Sequence, residues 1–445
     1  MRLVPKPPGS SPVRTERSLG DDLAQRFRAV RALTESLCAP LSAEDMVVQS
    51  MPDASPAKWH LAHTTWFFET FFLGTGAGAA GGTGEGGPRE PGFTLFHPRY
   101  GYLFNSYYDA VGPRHARASR GLLTRPLLEE IRAYRAQVDA RVAALLARQL
   151  DARGKAVLEL GLNHEQQHQE LLLTDVKHAL YSNPLRPAYA PPPAAALRRA
   201  PPLGFVAHAG GLHEVGHAGP GFAFDNECPR HRVWLEPFAL ATRPVTNGEY
   251  VAFMEDGGYR RPELWLFDGF AAARANGWEA PLYWERHPSG WTLFTLHGPR
   301  PLDLEEPVAH VSLYEADAYA RWTGARLPTE EEWEVAAGAD DDSADTADGG
   351  RFHPAVADTG RARQGVAQLF GDVWEWTRSA YAPYPRFRPA AGALGEYNGK
   401  FMCNQFVLRG GSCATPAGHV RGTYRNFFYP EARWQFSGIR LAREA

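Results

Sequence analysis

Two histidines one helical turn apart are the sharpest chemical signal in the sequence. His164 and His168 lie in the segment NHEQQHQE, and on a helix their imidazoles leave the same face and can chelate a metal ion. The alternative is a pair of solvated histidines on a polar helix. The same letters form the HExxH pattern of zinc proteases, in which Glu165 would be the general base. A third protease ligand is hard to find, since the helix beyond offers only Asp175 and His178, without a turn to bring either back.

Further histidines lie upstream, in the segment WHLAHT, which contains His60 and His63. One inward imidazole from this segment would complete a three-histidine face with His164 and His168, and would leave coordination positions open for substrate and oxygen. Three neutral nitrogens suit iron(II) chemistry in which the substrate supplies a thiolate. Zinc accepts the same ligands, so the ligand set alone does not name the metal.

A helical scaffold must bring these histidines together, and the first half of the chain has the pattern for one. Apolar residues recur at helical spacing, Ser55-Pro56 has the form of a helix start, and Gly154 is expected to end the third helix. The four predicted helices contain residues 23–37, 55–73, 127–145 and 155–180. Helices of this length predict an antiparallel bundle, whose interior is a usual place for a metal site.

The second half has a different composition. Dense Trp, Tyr, Gly and Pro with short apolar runs predict long loops and short strands, with helices at Thr246–Glu255, Leu313–Thr323 and Glu330–Ala337. The chain is therefore predicted to be a two-domain α+β protein. Its parts are an N-terminal tail (1–19), a helical bundle (20–182) with a Gly-rich insertion (74–92), a Pro-rich linker (183–202) and a loop-rich domain (203–445).

Composition limits the partners and the compartment. The 445 residues suffice for about two or three domains, and a hydrophobic content of 44% excludes wholesale disorder. A net charge of −3 offers no basic excess for nucleic acid, and no apolar run reaches the roughly 20 residues of a membrane span. The N-terminal segment lacks the apolar stretch of a secretion signal. We expect a cytoplasmic protein that binds neither nucleic acid nor membrane; no oligomeric state is predicted.

Motifs in both halves together resemble one family. The segments SPAKWHLAHTTWFFE and HEQQHQE resemble the DinB-like bundle of the nonheme iron sulfoxide synthases of ergothioneine biosynthesis. The second half is similar to the formylglycine-generating-enzyme fold (sulfatase-modifying factor, C-type-lectin-like) that follows the bundle in that family. The segments that carry this second likeness are FDNECPRH, TRPVTNGEY, ARLPTEEEWE, GDVWEW, RGGS and SGIR. The pairing of both halves in this order is more specific than either half alone.

A true formylglycine-generating activity is not expected. That chemistry uses a cysteine pair shortly after the Gly-Gly-Ser segment, where this chain has a lone Cys413 and no partner five residues on. The four cysteines also form no CxxC pair, so neither a disulfide framework nor a structural zinc cage is predicted. They are Cys38, Cys228, Cys403 and Cys413.

The resemblance implies an iron(II) cofactor held by His63, His164 and His168, with His60 as a structural neighbour. It also implies that Gln167 contacts the imidazole of a histidine-derived substrate.

The second half is expected to supply Asn426 as another contact to that imidazole, and an amide can serve either ring nitrogen without changing charge. Arg117 and Arg120 resemble the two arginines that hold the carboxylate of the thiol substrate, a task suited to the guanidinium fork. Without the family context, the arginines could equally form a solvated basic loop.

One departure from the family concerns the thiol. The branch that uses γ-glutamylcysteine has an acidic residue where this chain has Phe428. The pair Phe427-Phe428 favours the branch that uses free cysteine. Phe427 and Tyr384 are also candidate aromatic faces for the quaternary ammonium of Nα-trimethylhistidine.

A tyrosine is expected near the oxygen site, because a phenol can donate a proton and steer the reaction away from simple thiol dioxygenation. Tyr381 and Tyr384 match the tyrosine region of the γ-glutamylcysteine branch. Tyr107 and Tyr108 match the placement in the cysteine branch, and Phe428 favours this second pair. Each of these tyrosines could instead serve ordinary core packing.

The resemblance therefore implies a sulfoxide synthase that uses O2 to join cysteine, or γ-glutamylcysteine, to imidazole C2 of Nα-trimethylhistidine (hercynine). A related possibility is the ovothiol-type reaction at C5 of histidine; those enzymes usually append a methyltransferase, whereas this chain ends at Ala445. Two different classes of protein also fit parts of the sequence. They are a zinc hydrolase or transferase on a DinB-like bundle, and a non-catalytic binder built on the lectin-like fold.

Overall fold

The computed structural model describes residues 16–74, 90, 92–193, 198–338 and 345–445. Its first half is helical and its second half mixes helices with short strands, so the predicted α+β two-domain fold is confirmed. The predicted N-terminal tail and Gly-rich insertion lie almost wholly outside the described residues. Among the described helices, none combines the length and the apolarity that a membrane span requires.

The helices of the first half follow the predicted pattern, with three differences. A short helix, Tyr100–Phe104, was not predicted. The second helix reaches Leu73 only by changing to a π-helix at Phe68. Gly154 does not end the third helix but lies in the first turn of the last one, because the Asp151 carboxylate caps that turn and accepts the Gly154 N–H at 2.6 Å. The helices are α1 (Glu16–Cys38), α2 (Ala57–Phe67), α3 (Tyr100–Phe104), α4 (Leu128–Leu146) and α5 (Ala152–Ser182).

The second half has the three predicted helices and one that was not predicted. Each predicted helix begins with a capping box, such as Thr246 with Glu249, which explains why its start is legible. The additional helix has no capping side chain, and its first residue, Phe267, is exposed. The helices are α6 (Asn247–Glu255), α7 (Phe267–Ala275), α8 (Leu313–Trp322) and α9 (Glu330–Ala337).

Short strands of the second half form small sheets. Their orders are β1-β4-β12, β2-β3, β5-β6-β7 and β10-β9-β8-β11, and β11 runs parallel to β8 while the other pairs are antiparallel. The strands are β1 (Phe205–His208), β2 (Gly211–Val215), β3 (His231–Leu235), β4 (Phe238–Ala241), β5 (Trp284–His287), β6 (Gly290–Thr295), β7 (Gly298–Pro301), β8 (Trp374–Ala380), β9 (Phe406–Arg409), β10 (Asn426–Phe428), β11 (Ser437–Gly438) and β12 (Ala442–Glu444).

Helix α5 joins the two halves. The carboxylate of Glu170 is buried at the boundary and accepts hydrogen bonds from three donors of the second half. These donors are Trp374 Nε1 (2.6 Å), Ser412 Oγ (2.6 Å) and Thr415 Oγ1 (2.8 Å). Burial raises the pKa of Glu170 despite these bonds. A buried acceptor satisfied by three donors fixes the rotation of α5 against the second half.

The opposite side of α5 is held to the bundle by Glu165, which is fully buried. Its carboxylate lies 2.8 Å from Arg31 Nη1 of α1 and 2.6 Å from Arg135 Nη2 of α4. Burial alone would raise the pKa of Glu165, but Arg135 and Arg31 outweigh it and hold the pKa at about 2. The ion pairs therefore tie three helices together with a charged carboxylate.

We expect Glu165→Gln to lower the free energy of unfolding by about 3–5 kcal/mol, because two buried arginines lose the carboxylate they share. Glu159→Gln, on the same helix, breaks a partly exposed pair with Arg26 and should cost about 1 kcal/mol or less. Because the pKa of Glu165 is about 2 instead of 4.5, its contribution is complete above pH 4.5 and is lost as the pH falls towards 2. Urea denaturation across this range measures both effects; equal losses in the two variants would contradict this role of Glu165.

Candidate metal centre

Three histidines from two helices converge in the interior of the bundle. His63 lies on α2, and His164 and His168 lie one turn apart on α5. Ring nitrogens of all three lie within 4.8 Å of one another, and Nε2 of His63 is 3.1 Å from Nε2 of His164. The ring centroids of His164 and His168 are 4.6 Å apart. The structure thus brings together the three predicted metal ligands.

Hydrogen bonds orient these rings. Nδ1 of His63 lies 2.6 Å from the carbonyl oxygen of Phe104, so Nδ1 carries the proton and donates it, and Nε2 keeps its lone pair. His60 lies outside the group, with its Nδ1 2.9 Å from Nδ1 of His168. Nδ1 of His164 is buried and has no hydrogen-bond partner among the described residues.

All three rings are held in the neutral form. Burial lowers the pKa of His63 and His168 well below 6.5, and lowers the pKa of His164 to about 3. Neutral imidazole is the form that binds metal ions. Three neutral imidazoles with nitrogens within 4.8 Å of one another fit a divalent cation of the iron or zinc type.

Aromatic rings surround the three histidines. Trp59 stacks on His63 with a centroid distance of 4.5 Å and an interplanar angle of 12°. The ring centroid of Phe67 is 4.5 Å from that of His164, and the ring centroid of Tyr397, in the second half, is 5.7 Å from it. Apolar surroundings lower the local dielectric and so strengthen electrostatic interactions inside the site.

The two predicted substrate arginines have different environments. Arg120 is buried, with its guanidinium carbon 3.4 Å from the centroid of Trp59. It donates hydrogen bonds to the hydroxyl groups of Ser55 (2.9 Å) and Ser106 (3.5 Å), and its Nε has no partner among the described residues. Burial lowers the pKa of Arg120, yet a guanidinium stays charged at neutral pH. Arg117 is exposed and donates to a backbone carbonyl, so only Arg120 lies beside the histidines.

The two predicted amide contacts lie on different elements. Gln167 on α5 donates from Nε2 to the Tyr424 hydroxyl at 2.7 Å and accepts a hydrogen bond from the Tyr397 hydroxyl. Asn426 begins β10, and its Oδ1 accepts the N–H of Phe427 at 2.9 Å. Gln167 is therefore held by two phenols of the second half.

The predicted tyrosines separate into two groups. Tyr107 and Tyr108 form the first group. Their ring centroids are 4.6 Å apart, and the ring centroid of Tyr107 is 6.2 Å from that of Tyr397. Tyr381 is buried, stacks on Phe427 at 4.1 Å and accepts a hydrogen bond from an asparagine amide at 2.9 Å.

The remaining predicted aromatics also pack within the second half. The Tyr384 hydroxyl donates to Glu330 at 3.3 Å, and the ring of Tyr384 lies 3.9 Å from the Arg425 guanidinium. Phe428 is half-buried and lies 6.1 Å from Trp434.

Tyr397 is the functional candidate that sequence reasoning missed. It combines a ring contact to His164, a hydrogen bond to Gln167 and proximity to Tyr107. It follows a 3-10 turn in an irregular loop, 230 residues from Gln167 in the chain, so no local pattern marks it.

The protease interpretation is not supported. Glu165 faces Arg31 and Arg135 inside the bundle and is bound by both. A general base must reach the metal-bound water, and this carboxylate is turned away and engaged elsewhere.

Family models match both halves of the chain. A model of the sulfatase-modifying factor enzyme 1-like domain matches residues 193–445, and a model of the DinB superfamily matches residues 26–172. The domain limits of 20–182 and 203–445 remain predictions. Formylglycine-generating enzyme of Streptomyces coelicolor is 30% identical and covers 51% of this chain and 83% of that protein.

Two hercynine oxygenases are similar to this chain over most of its length. Hercynine oxygenase of Mycobacterium tuberculosis is 34% identical, covering 95% of this chain and 98% of that protein. Hercynine oxygenase of Mycolicibacterium thermoresistibile is 34% identical, covering 88% of each. With both domain models in this order and this likeness over nearly the full length of its relatives, the chain belongs to the hercynine oxygenase family.

Proposed function

We propose that this protein is an iron(II)- and O2-dependent sulfoxide synthase that joins the sulfur of cysteine to imidazole C2 of Nα-trimethylhistidine. The observation that carries the proposal is the convergence of His63, His164 and His168 as neutral rings, the first two buried and the third half-buried. In a hercynine oxygenase family member, the ligand set suits ferrous iron. When bound, iron would supply the redox chemistry of O2 and favour the thiolate form of a coordinating thiol.

The overall reaction balances without another reductant. Cysteine loses its S–H proton and the imidazole loses its C2–H proton as the C–S bond forms, which releases two electrons. Oxidation of sulfur to the sulfoxide releases two more. O2 accepts all four electrons; one oxygen atom becomes the sulfoxide oxygen and the other leaves as water.

Arg120 is proposed to hold the carboxylate of the thiol substrate. It is a buried cation whose hydrogen bonds go to neutral hydroxyls, and its Nε is without a partner in the described chain. A carboxylate would satisfy that nitrogen and balance the buried charge. Arg117 is exposed and would act only from the rim of the site.

Gln167 and Asn426 are proposed to orient the imidazole of trimethylhistidine. Gln167 is fixed by Tyr424 and Tyr397 in a direction set by those two hydrogen bonds. Gln167 lies on α5 between the proposed ligands His164 and His168. A substrate imidazole bound to the Gln167 amide would therefore stay close to the metal site. The rings of Phe427 and Tyr384 are proposed as faces for the ammonium.

Tyr397 is proposed as the proton donor, with Tyr107 and Tyr108 beside it and Tyr381 as the more distant alternative. Tyr397 has a ring contact to the ligand His164. Burial raises its pKa well above 10, so the phenol stays protonated at neutral pH and can donate a proton.

Free cysteine is the proposed thiol. Phe428 is half-buried against Trp434, and its apolar ring offers no charge to a γ-glutamyl extension. If γ-glutamylcysteine were the better substrate, a charged residue other than Phe428 would have to bind its γ-glutamyl group.

The direct test is anaerobic loading with Fe(II), addition of trimethylhistidine, cysteine and O2, and mass spectrometry of the product. We expect the C2 sulfoxide, with slower turnover when γ-glutamylcysteine replaces cysteine. His164→Ala should lower turnover by at least about 10²-fold because a ligand is lost, whereas His178→Ala, on the same helix and bonded to Ser50, should not. A C5-linked product from plain histidine, or a product without a C–S bond, would contradict the proposal.

Tyr397→Phe removes the proposed proton donor while keeping the ring. We expect sulfoxide formation to fall by about 10²-fold and oxidation of cysteine to its sulfinic acid to rise, because the sulfur would then take both oxygen atoms. The two products are separated by chromatography in one reaction. Tyr429→Phe, at an exposed tyrosine, is the matched control. An unchanged product ratio in Tyr397→Phe would assign the proton to another residue.

A further inference from the structure

Asp175 lies in the bundle interior, two helical turns beyond His168 on α5, and is almost fully buried. Its Oδ2 accepts the backbone N–H of Ser55 at 2.8 Å and lies 3.1 Å from Nε2 of His60. Its Oδ1 has no partner among the described residues. No lysine or arginine of the described chain forms an ion pair with this buried carboxylate, and burying a charge without such a partner is costly.

His60 connects this carboxylate to the metal site. Its Nε2 faces Asp175, and its Nδ1 lies 2.9 Å from Nδ1 of His168. A carboxylate only accepts hydrogen bonds, so Nε2 of neutral His60 must carry the proton. Nδ1 of His60 is then an acceptor, and Nδ1 of His168 must donate to it. The remaining nitrogen of His168, Nε2, keeps its lone pair.

We propose that Asp175 is a positioning residue which, through His60, sets the tautomer and orientation of His168 for metal binding. The inference rests on the proposed metal site and deepens it. Carboxylates that hydrogen-bond a ligand imidazole raise its basicity and hold its ring. Here the imidazole of His60 lies between the Asp175 carboxylate and His168. The negative charge is therefore kept one residue away from the metal site, and the hydrogen bonds through His60 still set the tautomer of His168.

The same carboxylate reaches the proposed substrate arginine. Ser55 donates its N–H to Asp175, and its hydroxyl accepts a hydrogen bond from Arg120 at 2.9 Å. Ser55 lies just before α2, whose N-terminus favours a nearby negative charge. Asp175 therefore orients one metal ligand on one side and, through Ser55, the guanidinium on the other.

The test measures metal affinity of the full-length apoprotein, not activity. Co(II) serves as a spectroscopic probe, and Fe(II) affinity is measured anaerobically against a competing chelator. Asp175→Asn keeps the size and can keep Oδ1 as an acceptor, but it removes the charge and allows an amide N–H to face His60. We expect affinity to fall by about 10-fold to 100-fold, with an altered Co(II) ligand-field spectrum.

Asp139→Asn is the matched control, since this bundle carboxylate binds Arg31 at 2.7 Å and contacts no histidine in the described chain. Its metal affinity should equal that of the unmodified protein. His60→Phe tests the route: if Asp175 acts through His60, adding Asp175→Asn to His60→Phe should cause no further loss. Circular dichroism and thermal unfolding confirm that each variant is folded.

The outcomes distinguish the positioning role from the metal site itself. If the unmodified protein binds metal, His164→Ala does not, and Asp175→Asn binds as tightly as the control, the positioning role is wrong and the metal site stands. Independent, additive losses from His60→Phe and Asp175→Asn would also overturn it. If the unmodified protein binds neither Co(II) nor Fe(II) at the three histidines, both the inference and the proposed function fail.

Discussion

The structure depends on one long helix, α5, whose successive residues face different neighbours. His164 and His168 point to the proposed metal centre, Glu165 points to the arginines of α1 and α4, and Glu170 points to the second half. The helical repeat fixes these directions relative to one another. Once Glu165 and Glu170 are bound on their two sides, the rotation of α5 is determined, and both ligands are aimed at His63 on α2.

Burial of the ligands imposes the second constraint. A carboxylate in direct contact with one of these rings would raise its basicity and favour its protonated form. The structure supplies a backbone carbonyl for His63 and a second imidazole for His168. The charged groups, Asp175 and Arg120, stand one residue further out, where they are proposed to orient a metal ligand and the substrate.

Most of the helices and the histidine pair on α5 could be predicted from the sequence because they depend on local interactions. The spacing of His164 and His168 and the capping boxes at Thr246, Ser312 and Thr329 act within a few residues, and the sequence predicts the corresponding helices. The prediction for Gly154 is wrong because the cap at Asp151 outweighs the low helix propensity of glycine at the first turn.

The rest depends on contacts that close over long distances. His63 and His60 are three residues apart on one helix, and only the family resemblance favours His63; the fold separates their contacts. Tyr397 hydrogen-bonds Gln167 from an irregular loop. Helix α7 has no capping side chain from which its start could be predicted. Tertiary packing creates these features, and the hydrophobic periodicity of the sequence does not predict them.

The proposed function requires that one ferrous ion bind to three imidazoles with room for a thiol. X-ray absorption at the iron edge of the anaerobically loaded protein measures this coordination. We expect scattering from histidine nitrogens that is lost in His63→Ala, and a sulfur scatterer that appears when cysteine is added. Iron whose spectrum is the same in His63→Ala, or that gains no sulfur ligand with cysteine, would contradict the proposed centre.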